Sequence, residues 1–128
     1  PTFLDVLTAQ AKKSPNKCIN YDLSNSIKTR SRRILTAIEP ESMVPIHRHQ
    51  KTSKTVVCLR GKLVGDFYDE VEQRCVETIE MSPNGPVVAL NIPAGQWHSV
   101  RVLESGTILF EVKDGPNKPQ KTGGILIV

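Results

Sequence analysis

The 128 residues suffice for one domain with a hydrophobic core and leave little room for a second domain. The chain is 38% hydrophobic and has a net charge of +4, but no apolar run could span a bilayer and no segment resembles a secretion signal. Basic residues crowd the first third, yet no aromatic side chains interleave with them as in nucleic-acid-binding proteins. We therefore expect a cytoplasmic protein without nucleic-acid or membrane partners, whose basic face is solvated or attracts a small anionic molecule.

The N-terminal segment, residues 2–13, is predicted to form a short helix. Its apolar residues recur at helical spacing, Thr2 can cap the N-terminus, and Ser14-Pro15 ends the segment. Residues 18–23 mostly alternate apolar and polar side chains, which predicts an edge strand. We assign residues 1–32 to this helix and edge strand, packed on the remainder of the domain.

From residue 33 onward, short strand-like segments alternate with turn residues. The segments comprise residues 34–38, 55–60, 62–68, 74–80, 87–92, 98–103 and 107–113. Gly61 lies between two of them, as in a tight hairpin. Such a series predicts an antiparallel sandwich or barrel whose inward faces enclose a pocket.

We assign residues 33–116 to this barrel and residues 117–128 to a tail that ends in a short apolar strand. The terminal strand either covers a sheet edge of its own chain or pairs across a homodimer, because edge strands invite such pairing.

The three histidines of the chain fall in two stretches, residues 47–49 and 93–98. His47 and His49 share a face if their segment is extended, because alternate side chains of a strand point the same way. Joined by His98 from a distant strand, they can form a site for a divalent metal such as Zn, Fe, Ni or Mn. The alternative is a histidine cluster that holds no metal.

The spacing of these residues resembles the paired motifs of the cupin superfamily, His-x-His followed by Gly and then Pro-x-Gly-x-x-His. The matching residues are His47, His49, Lys54, Gly61, Pro93, Gly95 and His98. From residue 3 to residue 116 the chain is similar, more narrowly, to WbuC-type cupin-fold metalloproteins, which sit among enzymes of surface polysaccharide synthesis. The resemblance implies an all-β cupin barrel, a double-stranded antiparallel jelly roll, with a short N-terminal helix and a metal at His47, His49 and His98.

Two positions depart from the cupin pattern. Lys54 stands where the pattern has a metal-binding Glu, and a protonated ammonium group cannot coordinate a cation. Val102 stands where the second motif often has Asn. Similar cupins that act on sugar acids carry an inward acid on the last barrel strand, and Glu111 is the corresponding residue here.

Alternation along the last barrel strand leaves two registers open. Either Glu111 and Lys113 face the pocket, or Phe110 and Val112 do. The resemblance favours the first register. Glu111 would then be a fourth metal ligand, a catalytic base with Lys54 or Lys113 holding the substrate anion, or the ion-pair partner of Lys54.

Trp97 is either a core residue or an aromatic wall that binds a sugar ring, since alternation need not give it the same face as His98. The resemblance implies a metalloprotein acting on a small anionic or carbohydrate substrate by isomerisation, epimerisation or ring opening in polysaccharide metabolism. Two alternatives stay open, an iron-dependent oxygenase and a non-catalytic sugar-binding module, so whether the chain is an enzyme is undecided at this point.

Overall fold

The computed structural model describes residues 2–24 and 30–114, together with the backbone of residues 125–126. In this part of the chain there are one helix, α1 (Phe3–Lys13), and ten strands. The strands are β1 (Cys18–Asp22), β2 (Ser31–Ile38), β3 (Ile46–His47), β4 (Lys54–Arg60), β5 (Leu63–Tyr68), β6 (Cys75–Met81), β7 (Ala89–Ile92), β8 (Trp97–Val102), β9 (Thr107–Asp114) and β10 (Ile125–Leu126).

The strands form two five-stranded sheets in which every neighbouring pair is antiparallel. The first sheet has the order β1-β2-β9-β4-β7 and the second the order β10-β3-β8-β5-β6. Between them lies a core with members from both sheets, namely Ile38, Val56, Cys58, Leu63, Met81, Ile92, Val102 and Leu109. The predicted all-β architecture of antiparallel strands with a short N-terminal helix is confirmed. None of the described helical residues forms a segment long and apolar enough to cross a membrane.

Helix α1 covers the outer face of the first sheet. Thr2 accepts a hydrogen bond from the backbone of Asp5, whose carboxylate accepts one from the backbone of Thr2, so a capping box begins the helix. Leu7 and Ala11 of this helix are buried, and they pack against Leu35, Ala37 and Ile108 of β2 and β9. The predicted helix and its N-cap are confirmed.

Gly61 does not form the predicted hairpin. β4 pairs with β7 and β9 in the first sheet, whereas β5 pairs with β6 and β8 in the second, so Gly61 carries the chain from one sheet to the other. The hairpin prediction was wrong because a glycine indicates a turn, while the partners of the flanking strands are set by distant residues.

The sheet edges agree with part of the sequence analysis. β1 lies at the edge of the first sheet, as predicted. The predicted tail of residues 117–128 lies outside the described residues apart from Ile125–Leu126, which pairs with Ile46–His47 of the same chain. This pairing fits the alternative in which the terminal strand covers an edge of its own chain, and the homodimer stays a prediction.

Replacing Gly61 with Ala should destabilise the protein by about 3 kcal/mol, because two penalties add. Gly61 has a φ of 78°, and an added Cβ would lie 2.8 Å from the Cα of Thr107. Gly95 provides the control, since it has a φ of 84° but nothing lies within 4 Å of an added Cβ. Gly95→Ala should therefore cost only the backbone strain of about 1 kcal/mol. Urea denaturation measures both, and equal losses would contradict the packing argument.

Candidate metal centre

The three histidines converge where β3 lies beside β8. His47 is directly opposite His98 in the strand register, and their ring centroids are 4.3 Å apart. The ring of His49 lies 5.3 Å from that of His47 and 6.1 Å from that of His98. One nitrogen from each ring lies within 4.8 Å of the other two. The structure thus brings together the three imidazoles that the sequence pattern singled out.

Backbone contacts tie the two histidine motifs to each other. The N–H of Gly95 donates to the carbonyl oxygen of His49 at 2.8 Å, and Gly95 adopts a φ of 84° that glycine reaches without strain. The side-chain amide of Gln96 donates to the carbonyl oxygens of Tyr68 and Trp97. These contacts fix the start of β8, so the turn before it presents His98 to the first motif.

Backbone carbonyls also set the tautomers of two rings. Nδ1 of His47 lies 2.9 Å from the oxygen of Pro45, and Nδ1 of His98 lies 2.9 Å from the oxygen of Gln96. A carbonyl oxygen only accepts hydrogen bonds, so each Nδ1 carries the proton and each Nε2 keeps its lone pair. Histidines that bind metals are commonly held in this way.

Two of the Nε2 atoms are buried without a partner. Among the residues that the structure describes, nothing hydrogen-bonds to Nε2 of His49 or of His98. His98 is only 1% exposed, so water does not readily compensate for the missing bond. A buried lone pair without a partner is unfavourable, and a metal ion would satisfy both atoms at once. The donor set therefore fits a divalent metal.

The histidines are neutral near pH 7. Burial lowers the pKa of His47, although a hydrogen bond to Pro45 opposes it. Burial, with the nearby charge of Lys54, lowers the pKa of His49 to about 3. Burial likewise lowers the pKa of His98 to about 4. Neutral imidazole is the form that coordinates a metal, so the protonation state also suits one.

A cavity of about 290 Å³ adjoins the histidines. It is lined by Arg32, Ile34, Pro45, His47, His49, Lys54, Glu111 and Lys113. Glu111 and Lys113 thus face the cavity, whereas Phe110 packs with the core under α1. This is the register of the last barrel strand that the resemblance favoured.

Lys54 and Glu111 form an ion pair inside this cavity. Nζ of Lys54 lies 3.1 Å from Oε1 of Glu111, and the two side chains are 15% and 20% exposed. The hydroxyl of Thr36 donates to Oε2 of Glu111 at 3.1 Å. The side chain at the position of the cupin glutamate therefore binds a carboxylate from the neighbouring strand β9.

Trp97 lies outside the histidine cavity and is buried, which fits the alternative of a core residue better than that of an aromatic wall for a sugar in this cavity. Adjacent side chains of a strand point to opposite faces, so Trp97 points away from His98. Its ring packs against the guanidinium of Arg48, with 4.6 Å from Cζ to the ring centroid, and it lines a separate cavity of about 460 Å³. Arg48 also pairs with Glu70 at 2.8 Å. Trp97 is 9% exposed and belongs to this outer cluster.

The profile of a family described as a domain of unknown function (DUF6016) matches residues 1–81, more than half of the chain. The chain belongs to the DUF6016 family. The matched segment contains α1, His47 and His49 but not His98. No curated protein matches the sequence.

Solved structures show that this DUF6016 chain has the cupin fold. KdgF from Halomonas sp. is similar with a TM-score of 0.60 and 14% identity, over 83% of this chain and 85% of that one. The Cnp3 cupin domain of Schizosaccharomyces pombe has a TM-score of 0.59 and 11% identity, over 79% of this chain and 66% of that one. A candidate sugar phosphate isomerase from Acidithiobacillus ferrooxidans has a TM-score of 0.59 and 16% identity, over 77% of this chain and 59% of that one.

Sequence reasoning missed Arg32 as a residue of the cavity. Arg32 belongs to the basic first third of the chain, for which the sequence predicts a face that is solvated or attracts a small anion, yet it is buried and lines the cavity beside Ile34. The predicted strand began at residue 34, whereas β2 begins at Ser31. Extending the alternation of this strand by one pair of residues would have placed Arg32 on the inner face.

Acid should destabilise the metal-free DUF6016 protein through His98. Its pKa is about 4 in the folded chain against an ordinary value of 6.5, so the unfolded chain takes up the proton first as the pH falls. The stabilising contribution of neutral His98 is complete above pH 6.5 and is lost progressively toward pH 4. Urea midpoints at pH 7, 6 and 5 in EDTA should fall less for His98→Asn than for the wild type. Parallel curves would contradict this assignment.

Proposed function

We propose that this DUF6016 protein is a WbuC-type cupin metalloprotein that acts on a sugar or sugar-acid derivative in surface polysaccharide metabolism. Isomerisation, epimerisation and ring opening are the reaction classes that suit the site. The proposal depends on one observation, the convergence of three neutral imidazoles beside a cavity that holds a carboxylate. The candidate sugar phosphate isomerase with the same fold supports sugar chemistry, although a fold alone does not fix a reaction.

His47, His49 and His98 would hold the metal, with Zn, Fe, Ni and Mn all compatible with imidazole ligands. When bound, it would polarise a carbonyl or hydroxyl group of the substrate or lower the pKa of a bound water molecule. The described residues give the ring of His49 no hydrogen bond, whereas carbonyls hold the other two rings. Nε2 of His49 is therefore available to a metal ion.

Glu111 would act as the base. Lys54 and Thr36 each hold one of its two oxygens, so the carboxylate has a fixed position in the cavity. In an isomerisation or epimerisation, an oxygen of Glu111 would take the proton from the carbon beside a polarised carbonyl. Lys54 lies at the same carboxylate and would stabilise the negative charge that develops on the substrate.

A non-catalytic cupin that binds a sugar is the second candidate. The Lys54–Glu111 ion pair favours it, because Lys54 neutralises the one carboxylate found among the described residues that line the cavity. In this case Glu111 would balance charge inside the barrel and would not transfer a proton.

Protein purified without an affinity tag should contain close to one equivalent of metal, and His98→Ala should contain almost none. Arg101→Ala is the matched control, since Arg101 lies on the same strand and bonds to Asp66 outside the histidine cluster. Elemental analysis gives both the amount and the metal. Iron in place of the other metals would support an oxygenase.

Lys54→Glu should bind metal at least tenfold more tightly than the wild type, because it exchanges a repelling cation for a ligand. Metal in Lys54→Glu but none in the wild type would mean that Lys54 has switched the site off, and the metal-dependent function would be rejected in favour of sugar binding.

Glu111→Gln should abolish proton transfer while leaving ligand affinity within about threefold, because the amide keeps the shape but is not a base. Proton NMR in D2O can follow deuterium uptake beside the carbonyl of hexuronates and ketose phosphates. The wild type should catalyse uptake in at least one of them, and Glu111→Gln should be about a hundredfold slower or worse. Binding without uptake in the wild type would instead support the non-catalytic cupin.

A further inference from the structure

Three basic side chains stand in a row across the first sheet. Arg32 of β2 is directly opposite Lys113 of β9, and Lys113 is directly opposite Lys54 of β4. All three line the histidine cavity. Like charges that face each other on adjacent strands are destabilising, so folding alone gives no reason for this arrangement.

The charges of the row are only partly balanced. Lys54 is paired with Glu111, but Lys113 forms no ion pair with any of the residues that the structure describes. Arg32 uses Nη2 to bind Asp22 at 2.9 Å, which leaves its other two nitrogens. Within the described part of the chain, Nε and Nη1 of Arg32 are buried and have no acceptor.

Arg32 is the most unusual member of the row. Its side chain is 5% exposed, and a guanidinium group keeps its charge under all ordinary conditions. Buried donors of a charged group without acceptors are rare in folded proteins, because the lost hydration is not replaced. An anion in the cavity would supply the missing acceptors and reduce the repulsion within the row.

Lys113, like Arg32, is a cation beside other cations, and it is partly buried. Burial lowers the pKa of Lys113, and the charges of Lys54 and Arg32 lower it further. A bound anion would act in the opposite direction and favour the charged form of Lys113. A counter-charge in the cavity would therefore suit Lys113 as well as Arg32, whereas Lys54 already has Glu111.

We infer that Arg32 and Lys113 form a subsite for the oxyanion of a small ligand, a carboxylate or a phosphate, within the histidine cavity. The inference rests on the proposed function for the position of the rest of the ligand, which would extend toward the histidines. Arg32 supplies fixed donors and Lys113 a mobile point charge, a combination that suits either oxyanion. A cavity of about 290 Å³ is at the small end of ligand sites, so it favours a single sugar unit.

Calorimetric titration of the metal-stripped full chain tests the subsite with three probes. D-glucuronate carries a carboxylate, D-glucose 6-phosphate carries a phosphate, and D-glucose carries no charge. One of the two anions should bind about tenfold more tightly than glucose, or better. The tighter anion tells whether the natural group is a carboxylate or a phosphate.

Arg32→Gln and Lys113→Gln should each weaken binding of that anion about tenfold. Arg33→Gln is the matched control, because Arg33 is the next residue of the same strand and does not line the cavity. It should change the affinity by less than about twofold. Circular dichroism checks folding, and if Arg32→Gln does not fold, Lys113→Gln decides the question.

Two results would overturn the subsite. One is a wild type that binds neither anion better than glucose, and the other is wild-type anion affinity in the folded variants. Zinc titration separates this failure from failure of the proposed function, because Arg32→Gln should bind zinc at least as tightly as the wild type. Anion binding without zinc binding would reject the metal-dependent function and keep the subsite. Zinc binding without anion binding would keep the metal-dependent function and reject the subsite.

Discussion

The register of β9 between β2 and β4 determines what the cavity contains. In the observed register, Glu111 and Lys113 face the cavity while Ile108 and Phe110 pack under α1. A slip of one residue would exchange these two sets, because side chains alternate along a strand. The helix would then lie over a carboxylate and an ammonium group, and the cavity would lose both. The apolar contact between α1 and the outside of the sheet thus fixes the chemistry inside the barrel.

The features of the fold and of the site that could be predicted from the sequence have signals in nearby residues. The N-cap residue Thr2 marked the start of α1, and the turn residues separated most of the strands. The histidine cluster followed from the spacing of two short motifs, which resembles that of cupins. Direct pairing of His47 with His98 then depends only on β3 lying beside β8, and the barrel topology provides that arrangement.

The parts that could not be predicted depend on distant partners. Both faces of β9 are covered, one by α1 and one by the opposite sheet, yet the inward face carries Glu111 and Lys113 and so has the polar pattern of a solvated side. Gly61 would turn the chain both in a hairpin and in a connection between two sheets. Only the pairing of the flanking strands shows that it connects two sheets. Arg32 was missed because arginine is rarely buried, and its position becomes clear only when β2 is paired with β9.

Lys54 stands where the cupin pattern has an acid, and this difference changes the balance of charge in the whole cavity. With neutral histidines, the described residues of the lining contribute three cations, Arg32, Lys54 and Lys113, against the carboxylate of Glu111. A divalent ion at the histidines would add positive charge to this set, whereas an oxyanion beside Arg32 and Lys113 would offset it. Metal and anion would therefore favour each other, and by linkage each must raise the affinity of the other by the same factor. A site of this composition is better suited to hold a metal and an anionic ligand together than to hold either alone.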